Sequence, residues 1–162
     1  MVGNSSTMMP VANFARGSIE GDFVNEYSVY FFSIMNSKIA YWIELSEYDI
    51  ATAEVMLESK RYLYVGFMAH QSIEKILKAY FVSITGETAP FTHSLSFLAK
   101  KAGIYQHFSD EQQNFIDLLE PMNIEARYPI NKKKLLENLT EKRCASVLNN
   151  ARELREWILL RL

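Results

Sequence analysis

Cysteine, glycine and proline are scarce in this sequence: one, six and four among 162 residues. The single cysteine, Cys144, excludes an internal disulfide and any zinc site built from several cysteines, which fits a reducing, cytoplasmic setting. Long hydrophobic runs are also missing. The stretch 29–35 is far short of the roughly 20 residues a membrane span needs, and acidic rather than basic residues precede it, so neither a signal peptide nor a transmembrane helix is expected. No phosphate-cradling glycine loop, no pair of histidines four apart around a glutamate and no Gly-x-Ser-x-Gly elbow occurs. The familiar nucleotide, metalloprotease and hydrolase signatures are thereby excluded, and no metal or cofactor is expected.

A surplus of one charge sign is lacking too. The formal net charge is −2, from 17 basic and 19 acidic residues. The acidic surplus lies in residues 1–35, which hold Arg16 against Glu20, Asp22 and Glu26. Residues 131–162 are locally basic and offset an acidic excess in 36–130, an asymmetry that helps a partner dock but falls short of a nucleic-acid-binding surface driven by charge alone.

What remains is nearly half apolar, 49% of the chain, and strongly periodic. Residues 1–35 mix Gly, Ser and Asn without a sustained period, and they read as a leader that is either disordered or outside the true product, with Met35 as the start. From Asn36, the positions Ile39, Trp42, Ile43, Ile50, Ala53, Met56 and Leu57 recur at three-to-four-residue spacing, with Glu44, Glu47, Glu54 and Glu58 opposite. That is an amphipathic helix. A break near Lys60 and Arg61 leads to a second stripe of Ala69, Ile73, Ile76, Leu77, Tyr80 and Ile84, closed by Gly86.

Thr92 is the expected cap of a short helix carrying Leu95, Phe97 and Leu98, which Gly103 ends. Ser109 and Gln112 have capping-box spacing ahead of Phe115, Ile116, Leu118 and Leu119. The stretch 121–129 breaks the pattern, and 130–139 reads as a loop or frayed turn. Thr140 then caps a last helix through Val147, Leu148, Ala151, Leu154, Trp157, Ile158 and Leu160. The predicted fold is all-α: one domain over 36–162, an antiparallel up-down bundle of four to five helices with no sheet.

Three histidines and one arginine bear on chemistry. His70 and Glu74 are one helical turn apart, as are Gln71 and Lys75, so the pairs share a face. The simplest role for His70 is a hydrogen-bonded histidine at a helix contact, with a ligand site as the rival reading. His93 either fixes a helix entry or faces a partner, and His107 is expected in a solvated loop. Arg127, Tyr128 and Pro129 place a cation and an aromatic before an imposed extended turn. One reading is a phosphate or carboxylate contact by Arg127 with Tyr128 available for stacking; the other is a salt bridge, for instance to Glu125. Lys132, Lys133 and Lys134 follow, a run that most simply forms a solvated loop.

Four stretches together resemble the HEPN-domain family: 41–54 (YWIELSEYDIATAE), 69–79 (AHQSIEKILKA), 92–95 (THSL) and 126–129 (ARYP). The resemblance implies a helical bundle, frequent homodimerisation, and association with a minimal nucleotidyltransferase in toxin-antitoxin-like modules or with other nucleotide- and RNA-related systems. Ribonucleases of the family use an arginine followed, after four to six residues, by a histidine. Arginine holds the scissile phosphate and histidine moves a proton near neutral pH. Here the required positions after Arg127 are Lys132, Lys133 and Lys134, and none of His70, His93 and His107 has an arginine at the required distance before it.

With no catalytic residue assigned, the sequence is read as a non-catalytic binding module. It is expected to be a homodimer that partners a nucleotidyltransferase encoded nearby and binds nucleotide or RNA phosphate, with Arg127, Tyr128, His93, His70, Gln71 and Lys75 as ligand- or partner-binding candidates. Two alternatives stand beside this reading. One is a ribonuclease with a non-standard site that joins Arg127 to His93 or His70 through folding or dimerisation; the other is a stand-alone nucleotide binder.

Overall fold

The computed structural model describes residues 26–128, 130 and 137–162, with side chains from Ser33 onward. Helix α1 spans Glu26–Glu58. It therefore crosses the boundary drawn between residues 35 and 36, and Met35 packs in a small cluster with Phe81, Val82 and Ala102. The lack of apolar periodicity before Asn36 hid this extension, because helical propensity does not require an amphipathic stripe.

Helix α1 ends in a paired set of bonds, Arg61 N–H to Met56 O at 2.7 Å and Lys60 N–H to Leu57 O at 3.0 Å, around a left-handed Lys60 at φ 58°. This is the double bond of a Schellman turn, with lysine where glycine is usual. The reversal lays α2 (Tyr62–Thr85) antiparallel along α1. Ser46 and Ser72 meet there, exchanging bonds of 2.9 Å and 2.8 Å between each hydroxyl and the other's carbonyl. Helix α2 stops at left-handed Gly86, φ 72°, whose N–H reaches Val82 O, as expected.

Helix α3 (Leu95–Lys101) is capped by Ser94, whose side chain accepts from Phe97 N–H, and not by Thr92. Thr92 stands two residues outside, where its hydroxyl takes the Ser94 N–H. Two polar residues compete for one cap in this segment, so spacing alone misplaces it by two residues. Glu120 adds a cap from elsewhere in the chain, accepting Leu95 N–H at 3.1 Å and Ser96 N–H at 3.2 Å through one carboxylate oxygen. Gly103, at φ 71°, follows the end of α3 as expected and leads into a 3-10 turn, Tyr105–His107, so His107 is solvent-exposed as expected but on a helical turn and not in a loop.

Helix α4 (Asp110–Leu119) opens on the predicted capping box of Ser109 and Gln112. The patternless stretch after it contains a single-turn helix, α5 (Met122–Glu125). Pro129 and Lys132, Lys133 and Lys134 lie outside the described residues. Helix α6 (Glu141–Leu159) begins at Thr140, whose side chain caps it as expected. It runs beside α2 and antiparallel to α1: Cys144 lies against Tyr62 O, and Arg155 donates to Ser46 and pairs with Glu47.

Five helices of seven or more residues and one single-turn helix thus make up the described chain, which contains no strand. The core gathers the predicted stripes: Ile73, Ile76, Leu77, Leu95, Leu98, Ile116, Leu119, Leu154 and Ile158 are fully buried. Each such side chain contributes about 1.5–3 kcal/mol by leaving water. Ile84, Phe97, Leu118 and Leu160, also named in the predicted stripes, stay exposed. Among the described residues no helix is long and apolar enough to cross a membrane.

Candidate functional site

Helix α2 is unusual in burying charge. His70, Glu74 and Lys78 recur every four residues and so stack on one face, and all three are buried. Such groups persist inside a protein only when paired. Lys78 Nζ donates to Glu74 Oε1 at 2.8 Å and lies 5.1 Å from the centre of the Trp42 ring on α1. The other carboxylate oxygen, Oε2, accepts from His93 Nδ1 at 2.9 Å. Burial opposes ionisation of Glu74, yet the hydrogen bonds from Lys78 and His93 outweigh it and hold its pKa below the ordinary carboxylate value.

His70 differs from the expected hydrogen-bonded histidine. Its side chain is wholly buried, and neither ring nitrogen has a hydrogen bond of normal geometry. Nδ1 lies 4.0 Å from the same Glu74 Oε2 that His93 occupies. Burial lowers the His70 pKa to about 4; the nearby Glu74 carboxylate and the His93 backbone oppose this, and the His93 and Arg127 side chains reinforce it. At neutral pH His70 is an uncharged imidazole sealed beneath the site.

The remaining candidates are placed around it. Gln71 does not pair with Lys75; it reaches α5, donating to Asn123 Oδ1 at 3.4 Å. Lys75 turns the other way and forms an ion pair with Asp49 on α1, so it is a bundle contact. Asn123 also presents its backbone carbonyl to Arg127 Nε at 2.9 Å. This bond, not a salt bridge to Glu125, fixes the arginine. Its guanidinium carbon then sits 5.8 Å from the centre of the Tyr128 ring, and Arg127 and Tyr128 are both exposed.

The structure thus brings four of the six candidates into one continuous arrangement: Arg127 to Asn123, Asn123 to Gln71, and His70, next along the chain, to the Glu74 oxygen that holds His93. Tyr128 sits at its edge and Lys75 lies outside it. Glu74 was read only as a helical neighbour of His70, and Asn123 and Lys78 went unnoticed. The i, i+4, i+8 spacing of His70, Glu74 and Lys78 was the available signal. Among the described residues no group of three His, Cys, Asp or Glu side chains has the geometry to hold a metal ion.

An all-helical bundle with a buried polar row on its second helix, opening at two basic side chains, defines the class of this protein. The HEPN domain model matches residues 39–162, and the chain belongs to that family. Two solved structures are similar in fold. The crystal structure of TT1696 from Thermus thermophilus superposes with a TM-score of 0.66 at 18% identity, covering 77% of this chain and 98% of that one. The crystal structure of ST0689, an archaeal HEPN homologue, gives 0.60 at 21% identity, over 76% of this chain and 96% of that one. Among curated proteins nothing matches.

Proposed function

We propose that this HEPN domain is a non-catalytic binding module: a homodimer that partners a minimal nucleotidyltransferase encoded separately and holds nucleotide or RNA phosphate at Arg127. One observation carries the reading. Arg127 is oriented by Asn123 and open to solvent beside Tyr128, while the imidazole behind it, His70, is sealed and its pKa is pushed down to about 4. A cation suited to a phosphate is therefore available, and His70 is a weak base without access to a substrate. The nucleotidyltransferase and the homodimer enter through the family resemblance, which relates fold to function by analogy.

A second reading is favoured by one contact. Glu74 binds Nδ1 of His93, whose side chain is 54% exposed, and a carboxylate in that position orients an imidazole for proton transfer. Incubating the purified protein with a mixed RNA pool separates the two. Retention of RNA without new fragments, lost on Arg127→Ala, is the expected result; cleavage abolished by His93→Gln and Arg127→Ala replaces binding with catalysis. Co-expression with the nucleotidyltransferase of a neighbouring gene tests the partner, and failure of the two to co-purify removes that part of the proposal.

A further inference from the structure

Helix α1 carries a second apolar row besides the one that faces the core. Tyr41, Leu45, Tyr48, Thr52 and Val55 recur at alternating steps of four and three residues, the spacing of a coiled-coil seam. Tyr41, Tyr48 and Val55 are 55%, 71% and 55% exposed, and Leu45 and Thr52 are half-buried. Thr52 satisfies its hydroxyl inside the helix, on Tyr48 O at 2.8 Å, so it brings no unmet polar group to the row. Tyr41 meets the Trp42 ring at 64°, with ring centres 5.3 Å apart. A continuous apolar row left in water along a helix is suited to a second helix laid against it. Beside it, between α1 and α6, an open groove of about 770 Å³ is walled by Ile43, Glu44, Tyr48, Ala51 and Arg155.

The flank of this row decides what kind of helix fits. The positions bordering the seam on the groove side are Glu44, Ala51 and Glu58; both glutamates are exposed, and neither has an ion pair among the described residues. Glu47 and Glu54, further round, are already held by Arg155 and Arg152 at 2.6 Å each. A second copy of the chain is a poor occupant. Antiparallel packing that sets Leu45 against Val55 and Tyr48 against Thr52 brings Glu44 of each copy to Glu58 of the other, and parallel packing brings Glu44 to Asp49. We infer that the outer face of α1 is a docking surface for a helix of a different protein, one whose apolar seam is flanked by Lys or Arg two heptads apart. Those cations meet Glu44 and Glu58, which stand about 21 Å apart along the helix axis. The groove receives the one that pairs with Glu44. This face is other than the Arg127 site, and the inference makes no use of the phosphate reading.

The test is fluorescence anisotropy on the full chain with two fluorescein-labelled synthetic peptides of three heptads, both with leucine along the seam, one flanked by lysine and one by glutamate. The lysine peptide is expected to bind, and the glutamate peptide to bind about ten-fold more weakly or worse. Tyr48→Glu adds negative charge, which would strengthen a merely electrostatic attraction; it is expected instead to weaken the lysine peptide about ten-fold or more while the melting temperature stays that of wild type. Arg127→Ala is expected to leave peptide binding unchanged. Glu44→Lys combined with Glu58→Lys is expected to reverse the preference between the peptides. Equal affinity of the wild type for both, or a preference unmoved by the double reversal, would show an apolar patch without charge selection and overturn the inference. Failure to bind the lysine peptide would do the same. Sedimentation of the wild type as a dimer that Tyr48→Glu turns into monomer would give the face to a second copy and overturn it equally.

Discussion

Glu74 and His93 stand 19 residues apart in sequence, yet the carboxylate of one holds the Nδ1 of the other at 2.9 Å. The bond fastens the connection after α2 to the middle of that helix. It also shares the buried negative charge between His93 and Lys78, so the core ion pair and the exposed imidazole depend on the same side chain.

Glu74→Gln should therefore destabilise the fold severely. Lys78 would be left as a buried ammonium without its partner, a loss of about 3–5 kcal/mol for a broken buried pair. Urea denaturation of the variant checks the magnitude. A companion, Lys78→Met with Glu74→Gln, removes both charges and should recover much of the loss; equal instability in the double variant would mean that packing around the carboxylate, and not charge, is the cause.

Acid should weaken the protein through His70. Its folded pKa of about 4 lies below the ordinary histidine value of 6.5, so the unfolded chain binds the proton first. Its contribution is complete above pH 6.5, declines as pH falls, and levels off below about pH 4; Glu74, whose pKa is also lowered, loses stability in the same direction. For a pKa difference of this size the His70 cost at pH 5 is about 2 kcal/mol. Denaturant midpoints for wild type and His70→Phe between pH 7 and pH 4.5 test this. The variant should show the flatter profile, and parallel profiles would remove His70 as the cause.

Lys60 occupies the left-handed region at φ 58° where α1 turns into α2. A side chain there costs about 1–2 kcal/mol relative to glycine. Lys60→Gly should raise stability by up to about 1 kcal/mol, since glycine gives back part of that gain through the greater freedom of the unfolded chain. A lowered melting temperature would show that the lysine side chain contributes something its backbone does not reveal.

Gly66 is a close approach between α2 and α5. A methyl group on it would stand 2.5 Å from Met122 Sδ, 3.3 Å from Cγ and 3.4 Å from Cβ, so the methionine has to move. Gly66→Ala should cost about 1–3 kcal/mol by overpacking. Because Met122 begins the turn that carries Asn123, it should also weaken ligand binding at Arg127. Met122→Ala in the same chain should restore binding, and a single variant with unaltered affinity would uncouple α5 from the site.

Much of the fold was legible because helices announce themselves through stripes and caps. The Ile73, Ile76 and Leu77 stripe, the Ser109 box, the Thr140 cap and the glycine stops at Gly86 and Gly103 are all local signals, and each appears where expected. The extension of α1 ahead of Met35 and the shift of a cap from Thr92 to Ser94 were not legible, the first lacking a period and the second having two equivalent candidates. The site was legible as residue types but not as partnerships. Nothing in the sequence tells Gln71 to choose Asn123, or Lys75 to choose Asp49, because those choices are made by tertiary geometry over separations of 52 and 26 residues. The same geometry left both ring nitrogens of His70 without a hydrogen bond of normal geometry, against the ordinary expectation for a buried histidine.

The cap that Glu120 places on α3 also sets a rule for competitors. The amide pair at the start of α3 is the kind of group that draws an anion, and the chain's own carboxylate already fills it. An incoming phosphate meets a built-in rival at that position and is left with the Arg127 guanidinium instead. Attraction of a phosphate to Arg127 would then be governed by ionic strength, and a modest rise in salt should release a bound phosphate ligand while the bundle itself stays intact.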